Sequence, residues 1–262
     1  FLAGLTAASA VSFADDVRSV PNKVRLAVHF ASMLLLFADW GILSPGSWWA
    51  VLPALVLCVG IMNAYNFMDG INGITGGYSL AVLLPLWWAD RSLGFVDPRL
   101  LVVVILGVLV FCFFNFRRRA RCFAGDVGSI GISLVVVFAL GRLILQTGDF
   151  TYILLLAVYG ADSVLTIVHR LLLREDLGKA HRKHAYQLMA NELGLPHVAV
   201  SSVYMCLQLA VSCGLLLLPP GAARWWYLLA VVAALSLAYV AFMRKYYHLH
   251  EEYLARRESG GK

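Results

Sequence analysis

Nine apolar stretches, separated by short polar connections, run through this chain at roughly 1–14, 24–38, 48–65, 71–89, 100–116, 128–146, 150–169, 198–218 and 225–243. Such stretches satisfy their backbone N–H and C=O groups in lipid only as helices or closed barrels, and these are helical in length rather than alternating. Composition agrees: 61% of residues are hydrophobic and 14% charged, against about 45–50% and about 25% in soluble domains, which excludes a water-soluble enzyme. The 262 residues hold nine or ten crossings at about 20 residues each and leave no large soluble appendage. The expected fold class is therefore all-α, a polytopic transmembrane helix bundle forming one integral membrane domain over 1–262. Residues 170–198 are its only long polar loop.

The net charge of +6 is unevenly placed. With the end of the first stretch facing the cytoplasm, all but four of the 21 Lys and Arg fall on that side: Arg18, Lys23, Arg25, Arg117, Arg118, Arg119, Arg121, Arg170, Arg174, Lys179, Arg182, Lys183, Arg244, Lys245, Arg256, Arg257 and Lys262. Arg91, Arg99, Arg142 and Arg224 fall on the other side. The positive-inside rule fixes the orientation accordingly, and tryptophan pairs at 48–49, 87–88 and 225–226 mark the outer ends. The excess charge is an orientation signal, and no nucleic-acid partner is expected. Five cysteines without a C-x-x-C pair give neither a disulfide framework nor a zinc site and read as packing residues.

Four polar clusters then fall at inner helix ends. Asp15 and Asp16 are adjacent like charges, tolerated where a cation or proton is shared or where a helix end is solvated. Lys23 and Arg25 follow, suited to a diphosphate or to anchoring the inner face. In N-A-Y-N-F-M-D-G-I-N-G at 63–73, Asn63, Asn66 and Asp69 recur every three residues. They suit Mg²⁺, which takes one or two carboxylates plus phosphate and water, or else interhelical hydrogen bonding. Gly70, Gly73, Gly76 and Gly77 admit a ligand or another helix closely. In F-A-G-D-V-G-S at 123–129, Asp126 either holds a metal or caps the following helix. In A-H-R-K-H-A-Y-Q at 180–187, His181, Arg182 and His184 suit phosphate better than zinc. Asp162, inside an apolar stretch, is a functional candidate or a partner of a neighbouring helix. The tail at 244–262 reads as an amphipathic or disordered inner segment.

These four motifs, in this order and all on one face, resemble the polyprenyl-phosphate N-acetylhexosamine-1-phosphate transferases. That group includes the initiators of bacterial O-antigen and other envelope glycans, the peptidoglycan phospho-N-acetylmuramoyl-pentapeptide transferase and the dolichyl-phosphate GlcNAc-1-phosphate transferase. The match runs from Phe1 to about Gln187, and H-R-K-H-A-Y-Q resembles the O-antigen, lipopolysaccharide-initiating branch. The resemblance implies Mg²⁺, with Mn²⁺ as its substitute, held by Asp126 and Asn66. It implies Asp15 as base toward the lipid phosphate with Asp16 beside it, Asp69 and Asn72 near the nucleotide, and Arg25, Arg182 and His184 near the diphosphate; Asn63 and His181 are further substrate-binding candidates read from the residues themselves. The implied reaction transfers an N-acetylated sugar 1-phosphate, GlcNAc-1-phosphate foremost, from a UDP-N-acetyl sugar to undecaprenyl phosphate at the cytoplasmic face of the bacterial inner membrane, releasing UMP. A homodimer is compatible with it. Two features depart from the family: Asn72 stands where many bacterial members have Asp, and the family's ten or eleven helices begin with two, and a basic Gly-rich loop, without counterpart here. A missing N-terminal portion is expected. The alternatives are an intramembrane prenyltransferase, whose N-D-x-x-D or D-x-x-x-D carboxylates are missing from 63–72, and a transporter coupled through Asp162.

Overall fold

The computed structural model describes residues 1–44, 46, 48–176, 178 and 181–259, with side chains to 253. Lys179, Ala180 and Lys262, and the side chains of Arg256 and Arg257, lie outside the described residues. The elements are α1 (Leu2–Val17), α2 (Asn22–Trp40), α3 (Trp48–Met68), α4 (Ile74–Leu93), α5 (Pro98–Asn115) and α6 (Gly125–Thr147). A 3₁₀ segment, Phe150–Leu156, then leads into α7 (Ala157–Leu172). The short α8 (Ala185–Gln187) continues as a π-helical turn, Leu188–Glu192, before α9 (His197–Leu217) and α10 (Ala222–Ser259). Among the described residues there is no strand, and the nine long helices coincide with the nine apolar stretches.

Six segments are long and apolar enough to cross a bilayer: Trp48–Met68, Pro98–Asn115, Gly125–Thr147, Phe150–Leu172, His197–Leu217 and Ala222–Tyr253. Helices α1, α2 and α4 are shorter or more charged at their ends. The protein is thus a multi-pass, all-α membrane bundle. Its outer surface is that of a protein solvated by lipid: Trp49 is 71% exposed, Val103 and Phe113 66%, and Leu237 71%.

Two packed regions fill the interior. Around α4, Tyr78 stacks on Tyr159 at 3.5 Å with the rings nearly parallel. Gln208 of α9 ties this layer together, accepting from the Tyr78 hydroxyl at 2.9 Å and the Val158 N–H at 3.0 Å. The second region joins α1, α2, α3 and α6 through Ala8, Met33, Leu36, Phe37, Met62, Ile130 and Leu134. The antiparallel order gathers the end of α1, the start of α2, the end of α3 and the start of α6 at one end of the bundle. The opposite end holds the minority arginines, with Arg142 facing Asp39 at 3.6 Å, Arg224 on Asp149 at 2.8 Å and Arg91 over the Trp87 ring at 5.3 Å.

Of the two readings of the tail, the structure sets aside disorder over the described residues. Helix α10 runs unbroken for 38 residues, so residues 244–259 are neither loose nor separate. Its inner part is held by packing: Tyr239 and Met243 are buried against Ala185 and Leu188. Further along, the ring of His250 meets the Glu192 carboxylate of the π-helical turn at 2.6 Å, both side chains buried.

Candidate active site

The first three motifs meet. Arg25, from the first turn of α2, reaches the Asp15 carboxylate at 2.6 Å and the Asp126 carboxylate at 2.5 Å, bridging two acids that lie 111 positions apart. Asp15 also accepts the Val20 N–H at 2.6 Å, so it shapes the α1–α2 turn while facing the site. Asn66, near the end of α3, donates its amide to Asp126 at 2.8 Å and to the Ser129 hydroxyl at 3.1 Å.

Asp126 is not the cap of its own helix. Residue 124 stands at the cap position without a side-chain hydrogen bond, and Asp126 lies in the first turn. The cap is supplied by α1: the Asp16 carboxylate accepts the N–H groups of Asp126 at 3.0 Å and Val127 at 3.2 Å. A carboxylate thus fills the anion-seeking start of α6, where free N–H groups and the helix dipole converge. Gly125 makes this possible, because its φ of +62° is left-handed and a Cβ there would lie 2.7 Å from Asp16 Oδ2.

Asp69 stands just beyond α3 and accepts the Thr75 hydroxyl at 2.6 Å. Burial pushes its carboxyl up to about 6; the Thr75 hydroxyl opposes the shift, and the charges of Asp126 and Asp16 reinforce it. Asn63 turns away, donating to the Val59 carbonyl of its own helix at 3.1 Å. Asn72 is used by the backbone: its amide donates to the carbonyls of Arg117 at 3.2 Å and Arg118 at 3.3 Å, and its own carbonyl accepts Ser201 at 2.8 Å. An amide fits that position, since a carboxylate would present no donor to the two carbonyls.

The His motif docks against the same end. The Tyr186 hydroxyl donates to the Phe67 carbonyl at 2.9 Å, and it lies over Gly70, where a Cβ would strike it. The glycine therefore admits a tyrosine. The ring of His181 faces that of Phe67 at 6.4 Å. Burial, followed by the charges of His184 and Arg170, lowers the His181 ring to about 4. Arg182 is exposed and lines a separate cavity of about 490 Å³ with Asn191, Glu192, Leu249 and Tyr253. His184 points its Nδ1 at Asp162, 3.3 Å away.

Sequence reasoning gave Asp162 a partner on a neighbouring helix, which Tyr204 of α9 supplies, but missed its ties to the His motif. Its carboxylate, 4% exposed, accepts from Thr166, His184, the Ala185 and Tyr186 N–H groups and the Tyr204 hydroxyl. Asn115 was also missed: it accepts the Gly73 N–H at 2.7 Å and donates to the Cys122 carbonyl at 2.8 Å, fixing the two site loops together. The signal for Asn115 was a lone amide closing an apolar stretch.

The arrangement suits a hard cation and phosphates. Among the described residues no three His, Cys, Asp or Glu side chains form a metal cage by themselves. One carboxylate with one amide nevertheless fits Mg²⁺, which completes its shell with phosphate oxygens and water. For Asn66 to share an ion with Asp126, its amide must turn so that Oδ1 replaces Nδ2.

A multi-pass helical bundle whose converging ends carry carboxylates, an amide and an arginine is a membrane protein with an acidic polar cluster at one end. Residues 1–144 match glycosyl transferase family 4, and the chain belongs to that family; the likeness read from the motifs is borne out. It is 32% identical over 165 residues to a probable undecaprenyl-phosphate N-acetylglucosaminyl 1-phosphate transferase of Bacillus subtilis, covering 60% of this chain and 45% of that protein. A phospho-N-acetylmuramoyl-pentapeptide-transferase of Thermotoga neapolitana is 31% identical over 140 residues, 47% of this chain and 45% of its own length. A decaprenyl-phosphate N-acetylglucosaminephosphotransferase of Mycobacterium leprae is 28% identical over 136 residues, 48% of this chain and 34% of its own length. The chain spans about half the length of the curated relatives it matches.

Proposed function

We propose that this chain transfers an N-acetylated sugar 1-phosphate, GlcNAc-1-phosphate foremost, from its UDP carrier to undecaprenyl phosphate, as the first step of a lipid-linked envelope glycan. The observation that carries the reading is the meeting of Asp15, Asp16, Arg25, Asn66 and Asp126, drawn from four helices, at one end of the bundle. The names of the relatives support the acceptor and the reaction class, and the bias of Lys and Arg toward the same end supports a site on the cytoplasmic side of the inner membrane.

An oxygen of the lipid phosphate attacks the β-phosphorus of the UDP-sugar. The bond from that phosphorus to the bridging oxygen breaks, and UMP leaves with the oxygen and its electron pair. Asp15 takes the proton of a singly ionised lipid phosphate. Arg25 moves from the carboxylates to the diphosphate, where its guanidinium forks onto two oxygens. Asp126 and Asn66 would hold Mg²⁺, or Mn²⁺ in its place, which when bound offsets the charge of the phosphates. Asp16 stays on the start of α6 and keeps Asp126 in register.

The test is UMP release from UDP-GlcNAc with undecaprenyl phosphate and Mg²⁺, using the chain with whatever sequence flanks it in the whole protein. Asp126→Asn should lower turnover by at least about 100-fold, the scale of losing one main electrostatic contact to the reacting phosphates. Full turnover in that variant would remove the assignment of Asp126.

A further inference from the structure

We propose that the groove between α7 and the later part of α10 binds an anionic phospholipid, with an acyl chain against Leu165, Val168, Leu172, Val240 and Met243 and the phosphate at Arg244. The inference rests on the membrane setting of the bundle and not on the transfer reaction proposed above.

Two helix faces form the groove. Leu165, Val168 and Leu172 recur along one side of α7 and face Val240, Met243 and Arg244 along one side of α10, with a cavity of about 480 Å³ between them. The walls are fixed from behind. The buried hydroxyls of Thr166 and Tyr239 bond at 2.9 Å, and nearer the loop the rings of His169 and Tyr247 meet at 4.5 Å. The mouth is open, since Val168, Leu172 and Val240 are exposed. The groove is thus preformed, which spares a ligand the cost of opening it.

Polarity changes along its length. In α10 no charged residue stands between Arg224 and Arg244, a separation of about 30 Å at about 1.5 Å per residue, which matches the thickness of the hydrocarbon core. Asp149 holds Arg224 at one end, and at the other Arg244 comes to the level of the lipid phosphates. Arg244 is exposed, and among the described residues no carboxylate pairs with it. His248 lines the same end, while Glu251, the acid of this lining, lies about two turns beyond Arg244. A water-soluble ligand would leave the apolar walls uncovered, and a plain hydrocarbon would leave Arg244 unmatched. An amphiphile with an anionic phosphate answers both, because basic groups between helices at a membrane surface favour such headgroups by about fivefold each. The acceptor lipid of the proposed reaction matches less well. Its phosphate must reach Asp15 and Asp126, and no residue lining the groove belongs to that cluster.

The experiment uses the intact protein in neutral-detergent micelles with a phosphatidylglycerol that carries a photoreactive group in its chain, and maps the labelled residues after irradiation. Label should appear over 165–172 and 239–243. Unlabelled phosphatidylglycerol should displace it there at about fivefold lower concentration than phosphatidylcholine of the same chains. On the lipid-facing surface of α5, at the exposed Val103 and Phe113, the two lipids should compete equally, which gives the level of an ordinary lipid contact. Arg244→Gln should bring the groove close to that parity, and it removes no ion pair among the described residues that the fold would miss. Equal competition at the groove of the wild-type protein, or an undiminished preference in Arg244→Gln, would overturn the inference. So would displacement of the label by undecaprenyl phosphate at lower concentration than by phosphatidylglycerol, which would give the groove to the acceptor. None of these readings depends on turnover, so a chain that releases no UMP leaves the lipid site standing.

Discussion

Asp69 shows how much a single buried acid reveals. Its folded value of about 6 lies above the ordinary 3.8, so between those values the folded state keeps a proton that the unfolded state has lost. Stability therefore falls as pH rises through that window and stays low above it, by up to about 3 kcal/mol at about 1.4 kcal/mol per unit. Asp69→Asn keeps an oxygen for Thr75 and removes the charge. It should raise the melting temperature of the purified protein at pH 8 and leave it nearly unchanged at pH 4; an equal effect at both values would contradict the burial of a charge at this position. Asp15, Asp16, Asn66 and Asp126 were legible in the sequence because each is polar beside a long apolar run. Asn63 and Asn72 read the same way, and their amides hydrogen-bond to backbone carbonyls. A three-residue spacing places side chains near one helix face, yet whether an amide bonds its own helix, a neighbouring turn or a ligand depends on elements far away in sequence.

Among the elements, α6 depends on a cap from another helix. Asp16→Ala strips acceptors from two first-turn N–H groups and should cost about 1–2 kcal/mol, read as a lower melting temperature, while Asp16→Asn should recover part of it. The nine helices were legible as elements because apolar length alone specifies them in lipid. The inner end of α10 was not, since the described side chains of 244–253 are largely polar and the helix is held there by contacts with α7 and the π-helical turn. His250 is the key contact there. His250→Ala should leave Glu192 buried without its partner and loosen the turn, so that trypsin cuts after Arg182 and Lys183 several-fold faster in the folded protein. Unchanged cleavage would mean that packing around Tyr239 and Met243 holds the loop unaided.

At the scale of the whole molecule, the charge asymmetry predicts sidedness. In a background with the five native cysteines replaced, Ser19→Cys between α1 and α2 should react with an impermeant maleimide only in inside-out vesicles. Ala223→Cys, at the opposite end, should react only in right-side-out cells. The reverse pattern would place the carboxylate cluster outside and remove the cytoplasmic reading.

One guanidinium has a consequence for how the protein is made. Asp15, Asp16 and Asp126 approach each other as the bundle closes, and without a counter-charge their repulsion would hold α1 and α6 apart. Arg25 neutralises this within the chain, at 2.6 and 2.5 Å from two of the three. The bundle thus carries an internal counter-charge at its most acidic point, and the two ion pairs tie α1 to α6 through α2. Chelators should arrest turnover while leaving the thermal unfolding of the protein where it was.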